Sequence, residues 1–164
     1  MNAKDSDLNR LQLFGDVVYQ PPSKDWFVRQ NPTLKNEIQL LPSVDFSALS
    51  SLPDSHGIYF ATCGDNSIAY IGKAEGRGFR LRWLKHHKLN KLQEIQAQKL
   101  LYFEIKPLPY GLMEKIEGAF IWYFQPTLNT LRDIFARHFA EVFPSVGNVS
   151  TAIVREYIES QTGK

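Results

Sequence analysis

A single cysteine, Cys63, occurs among the 164 residues. One thiol forms no internal disulfide, and a cysteine-rich zinc site is excluded; a reduced, intracellular setting fits best. Long apolar runs are missing too. The longest, Ala119 to Phe124, falls far short of the roughly 20 residues a membrane-spanning helix needs. Met1 to Arg10 is polar and carries Asp5 and Asp7, unlike the apolar core of a secretion signal. No internal repeat or low-complexity tract is present. These absences lead to the expectation of a soluble, cytoplasmic protein with no membrane partner. With 43% hydrophobic and 22% charged residues, the chain has the composition of one globular domain with a real core.

Charge is uneven along the chain. The net charge is only +2, yet Lys73 to Lys91 holds Lys73, Arg77, Arg80, Arg82, Lys85, Lys88 and Lys91 against one acid, Glu75. Such a run is either a solvated helix face or a footprint for a phosphate backbone. Residues 1–54 are punctuated by Pro21, Pro22, Pro32, Pro42 and Pro53, which prevent long helices and central strands. They are expected to form an N-terminal arm packed on the domain, with short apolar pieces such as Val17-Val18-Tyr19 and Ile38 to Leu41. Gly57 to Cys63 and Ser67 to Gly72, rich in Ile, Tyr, Phe and Thr and separated by Gly64-Asp65-Asn66, read as a hairpin.

Around Gly78 the pattern becomes helical, with Leu81, Leu84, Leu89 and Leu92 as the apolar positions. Leu100 to Ile105 reads as a third strand, closed by Pro107 and Pro109. Apolar residues at 112, 116, 119, 120 and 123 form a helical stripe that Pro126 ends. Helical segments over Leu131 to Val142 and Val149 to Glu159 follow as an extension (131–164). Phe135, Phe139 and Phe143 in that extension either finish the core or serve a partner. The predicted fold is therefore α+β: a small three-stranded antiparallel sheet flanked by helices.

Several residues stand out chemically. Alternation along a strand places Ile68, Tyr70 and Gly72 on one face, and Tyr59 can approach Tyr70 across the hairpin. On a helix, Arg82 and His86 are four apart and share a face, with Arg80 pointing away. Glu117 falls among Met113, Phe120, Ile121 and Phe124. A carboxylate there is costly unless an arginine or a divalent cation pairs with it.

Gly57-Ile58-Tyr59, Tyr70-Ile71-Gly72, the Arg- and His-rich segment, the glutamate in an apolar helix and Pro126-Thr127-Leu128-Asn129 occur in that order. Together they resemble the GIY-YIG nuclease domain, over about residues 55–130. Tyr70-Ile71-Gly72-Lys73-Ala74 is similar to the form found in excision-repair nuclease subunits. Arg82-Trp83-Leu84-Lys85-His86 resembles the Arg-x-x-x-His helix of homing and restriction members, whereas an ungapped match to the repair subunits selects Arg80.

The resemblance implies a metal-dependent endonuclease acting on DNA, with RNA left open as a substrate, as a monomer or a homodimer. It implies catalytic roles for Tyr59, Tyr70, Arg82 or Arg80, His86 and Glu117. Glu117 would hold one Mg²⁺ or Mn²⁺, with Glu114 the rival at a poorer spacing from Asn129. Lys73, Arg77, Lys85 and His87 would bind substrate, while Gly72 and Asn129 would support the site. A nucleic-acid-binding module of the same fold with little or no turnover is the alternative, as is a nuclease acting on RNA or branched DNA.

Overall fold

Ile58-Tyr59-Phe60-Ala61 is apolar at consecutive positions, the pattern of a strand buried on both faces. In the computed structural model, which describes residues 29, 31–108, 111–129 and 151–163, it lies at the heart of the sheet. The strands are β1 (Ser43–Asp45), β2 (Gly57–Thr62), β3 (Ile68–Ala74) and β4 (Lys99–Glu104). They form one antiparallel sheet in the order β1-β4-β2-β3. The helices are α1 (Leu34–Ile38), α2 (Gly78–Leu84), α3 (Leu89–Glu94), α4 (Leu112–Phe124) and α5 (151–162). A 3₁₀ segment, Phe46–Ser51, follows β1.

The α+β class holds, but the sheet has four strands rather than three. The extra strand, β1, is three residues long and directly follows Pro42, within the proline-spaced arm. Its position at the sheet edge fits that setting, because proline donates no ladder hydrogen bond. The Pro42 carbonyl still accepts one from the Tyr102 amide at 3.0 Å.

Side-chain alternation along β2 divides the interior into two layers. Ile58 and Phe60 face α1, α4 and Val154 of α5, and the Phe60 and Phe120 rings meet edge-on at 5.3 Å. Tyr59 and Ala61 face the other way, toward Leu52, Phe79, Trp83 and Leu92. β3 departs from strict alternation. Ala61 pairs with Tyr70 but Thr62 with Ile68, so Ala69 is an extra residue on β3. This bulge turns Ile68 onto the layer of Phe60, so Ile68 does not share a face with Tyr70 as simple alternation predicts.

The segment after Gly78 also differs from the sequence expectation. It forms two short helices, and α2 buries Phe79 and Trp83 while Leu81 and Leu84 are 52% and 65% exposed. The aromatic pair displaces the leucine pair because the larger rings fill the space beneath Tyr59. Gly78 starts this helix with φ of +70°, and a Cβ there would run into the Asp54 backbone.

The expected helix Leu131 to Val142, with Phe135, Phe139 and Phe143, lies outside the described residues, as does Val17-Val18-Tyr19. The later helix is present, and the Arg155 side chain of α5 pairs with Glu37 at 3.0 Å.

Two substitutions check this layering. Phe60→Ala opens a cavity between the sheet and α4 and should cost about 3–5 kcal/mol in urea unfolding. Leu81→Ala, on the solvent face of α2, should change stability by no more than about 0.5 kcal/mol.

Candidate active site

β3 is an edge strand, so every second residue presents a backbone N–H and C=O away from β2. Three groups from later in the chain meet that edge. The Leu128 amide donates to the Ala69 carbonyl at 3.0 Å. The Asn129 side chain accepts from the Ile71 amide at 2.9 Å and donates to the Ile71 carbonyl at 2.8 Å. The Glu117 carboxylate lies near the Lys73 amide. Asn129 thus stands in for a peptide of a neighbouring strand, and its fixed placement brings the end of α4 against the hairpin.

The cleft at this edge has a volume of about 370 Å³. Tyr70 and Lys73 reach it from β3, Arg82 from α2, His87 and Lys88 from the following turn, and Glu114 and Glu117 from α4. Arg82 and Glu117 come from opposite layers of the fold and meet only because the cleft wraps around the strand edge.

Glu117 is partly buried, and among the described residues no cation lies within 4.0 Å of it. Burial pushes its carboxyl up to about 7, against the opposing pull of Lys73 and Arg82. Lys73 is committed elsewhere: its ammonium pairs with Glu75 at 2.8 Å and Glu114 at 3.0 Å. Burial pulls the Lys73 amine down, but the two carboxylates outweigh it and hold it protonated.

The two tyrosines differ in access. Tyr59 is fully buried, and its ring lies 6.3 Å from that of Tyr70, which lines the cleft. Register places Gly72 directly opposite Tyr59. A Cβ at Gly72 would fall 2.5 Å from the phenol carbon that bears the Tyr59 hydroxyl, so the glycine makes room for that ring. Burial raises both phenols above their ordinary value, and Arg82 opposes this in each.

His86 lies outside the helix that its spacing from Arg82 suggested. α2 ends at Leu84, where Lys85 leaves helical geometry with φ of −135°. His86 turns inward instead and stacks on Trp83 at 4.1 Å. It still reaches the same group as Arg82, with Nε2 2.9 Å from the Tyr59 hydroxyl oxygen. The Lys88 amide donates to Nδ1 at 3.2 Å. A neutral imidazole accepting at Nδ1 carries its proton on Nε2, so His86 donates to Tyr59. Burial, then Arg82, His87 and Lys88, push His86 down to about 3, so it is neutral at physiological pH.

The remaining basic residues divide clearly. Arg80 pairs with Asp54 on the surface and does not line the cleft, nor do Arg77 and Lys85. Burial lowers the His87 value, and its exposed ring lies at the rim, 6.4 Å from that of Tyr70. Trp83, Lys88 and Leu128 belong to the site without any motif signal. Only the spacing of Trp83, three residues before His86, hints at the stack.

The donor set fits a hard divalent cation. Glu117 offers one carboxylate that no cation pairs with among the described residues, in a cleft where water and phosphate oxygens can complete an oxygen shell. Among the described residues no three His, Cys, Asp or Glu side chains gather, so Glu117 is the residue that would hold such an ion. No protein-family model matches the chain, and no curated protein matches it.

Asn129→Ala leaves the Ile71 peptide edge unpaired and should cost about 1–3 kcal/mol in chemical denaturation. Glu117 predicts an opposite response. Its folded-state value of about 7 exceeds the ordinary 4.5, so its penalty is absent below 4.5, grows as pH rises to 7 and is complete above. Without divalent cations, Glu117→Gln should therefore exceed the native chain by about 3 kcal/mol at pH 8 and match it near pH 4. His86, held at about 3 instead of 6.5, weakens both proteins alike as pH falls below 6.5, so the difference between them isolates Glu117.

Proposed function

We propose that this chain is a metal-dependent endonuclease that hydrolyses phosphodiester bonds in DNA in a cytoplasmic setting. The observation that carries the reading is the convergence of Tyr70, Arg82 and a buried Glu117, unpaired among the described residues, on one cleft. A phosphodiester brings negative charge, an attacking water and an alkoxide leaving group, and this cleft has a group for each.

Arg82 presents a planar fork of donors that holds phosphate oxygens and offsets the charge gathering on them as the water oxygen attacks phosphorus. Glu117 would hold a Mg²⁺ or Mn²⁺, which would supply Lewis-acid stabilisation of the charge that develops on the phosphate and the leaving group. Tyr70 faces the cleft and is the phenol placed to orient the attacking water and receive its proton. Its raised value opposes that role until cationic charge in the cleft favours the phenolate. Tyr59 and His86 act behind it: the histidine donates to the Tyr59 oxygen, leaving the Tyr59 proton directed away from the imidazole.

The phosphorus–oxygen bond to the leaving group breaks as the new bond forms, and the departing oxygen takes a proton from solvent. Lys73 and Lys88 add positive charge along the entering strand, and His87, kept neutral at the rim, offers it a hydrogen-bonding ring. Asn129 and Gly72 hold the frame. One such cleft cuts one strand, so a double-strand break requires two events or two copies.

Cleavage assays on supercoiled, linear, single-stranded and branched DNA, with and without Mg²⁺, test this. Native protein should nick with the metal only. Glu117→Ala should abolish turnover, and Arg82→Ala should lower it by about 10²–10³-fold, the scale for a charge-stabilising donor. Arg80→Ala should leave it within a few-fold. Salt-sensitive binding without cleavage by the native chain would replace the enzyme with a binding module.

A further inference from the structure

The outer face of α2 is used neither by the core nor by the cleft. Leu81 and Leu84 are 52% and 65% exposed there, three apart on one helix, hence neighbours on its surface. A scattered exposed leucine is ordinary, but this pair has a particular setting. The residues bounding α2, Arg77 and Lys85, are exposed cations. From Gly76 through Gln93 the chain holds six Lys or Arg and no Asp or Glu. Arg82, which lines the cleft, lies between the two leucines in sequence.

An apolar pair in a cationic field selects its partner. A second copy of this chain would bring two such fields face to face, and like charges oppose that contact. A polyanion with apolar surface suits both features, and nucleic acid is one: phosphates for the cations, base faces for the leucines. Leucine has no hydrogen-bonding group and reads no base edge. It can cover a base-pair face or enter between base steps, and that entry requires unstacking. A continuous duplex must unstack to receive it, whereas a duplex end at a flap or junction already exposes a base pair.

We infer that Leu81 and Leu84 form an apolar rim that seats against the exposed base pair at a branch point, so that the substrate class is branched or flapped DNA rather than continuous duplex. The nuclease reading determines which cleft the strand then enters, but the rim makes its contact whether or not the bond is cut. Arg77 and Lys85 lie beside the flanking phosphates, and Arg82 carries the adjacent strand into the cleft.

Binding of the full-length chain to a flapped duplex and to a continuous duplex of the same length tests the inference. A 2-aminopurine at the branch point reports stacking. The native chain should favour the flap by about tenfold, the ratio that partial burial of two leucines supplies. In L81S/L84S the preference should fall to about twofold, with the 2-aminopurine signal no longer altered and continuous-duplex binding unchanged. L81K/L84K provides the second variant: it should tighten binding to both substrates and still lose the preference.

Equal native affinity for the two substrates, or a preference that survives either variant, overturns the inference. So does a native dimer that L81S/L84S turns into a monomer, which would assign the face to a second copy. A native chain that prefers the flap through these leucines but cleaves nothing would remove the nuclease reading and leave the rim standing.

Discussion

The outward edge of β3 is the constraint around which the site is assembled. An edge strand exposes peptide groups that must find partners when other chain segments cover them. Here the partners are the Leu128 amide and the Asn129 carboxamide, at Ala69 and Ile71, with the Glu117 carboxylate close by Lys73. Meeting that requirement fixes α4 beside the hairpin and delivers an acidic group to a strand edge. The edge is protected from pairing with another chain, and the candidate cleft arises from the same contacts.

Burial makes that site electrostatically unusual. Glu117 is withdrawn from water with no ion-pair partner among the described residues, Tyr59 is enclosed by Trp83, Phe79 and His86, and His86 is kept neutral. Of these only Glu117 costs stability near and above pH 7, because Tyr59 and His86 are neutral there in any case. Lys73 is the exception, already balanced by Glu75 and Glu114, so it ties β3 to α4 at the rim of the cleft.

The aromatic layer explains why small and large residues alternate around the tyrosines. Gly72 must lack a side chain because Tyr59 lies across it in register. Trp83 presses on Tyr59 from α2 and carries His86 on its other contact. The hydrogen bond from Lys88 to Nδ1 then determines which imidazole nitrogen faces Tyr59. A local turn three residues beyond a short helix thereby sets the polarity of a buried tyrosine–histidine pair.

Much of this was legible from residue order alone. The hairpin, the third strand and α4 follow from β-branched and aromatic runs, the Gly64-Asp65-Asn66 turn and the stripe ending at Pro126, because local periodicity dictates local structure. The unusual character of Glu117 was legible too, since its helical neighbours are apolar whatever the fold. Long-range contacts decided the rest. The edge strand β1 exists only because β4 offers it a partner, and three residues carry no periodic signal. The bulge at Ala69 reversed Ile68, a shift that depends on pairing register. The buried face of α2 was misread because Leu81 and Leu84 suit a helix stripe as well as Phe79 and Trp83 do; the space under Tyr59 chose the rings. The geometric separation of Arg82 from Arg80 likewise came from tertiary structure, since only the placement of Asp54 and of the β3 edge distinguishes two arginines on one turn.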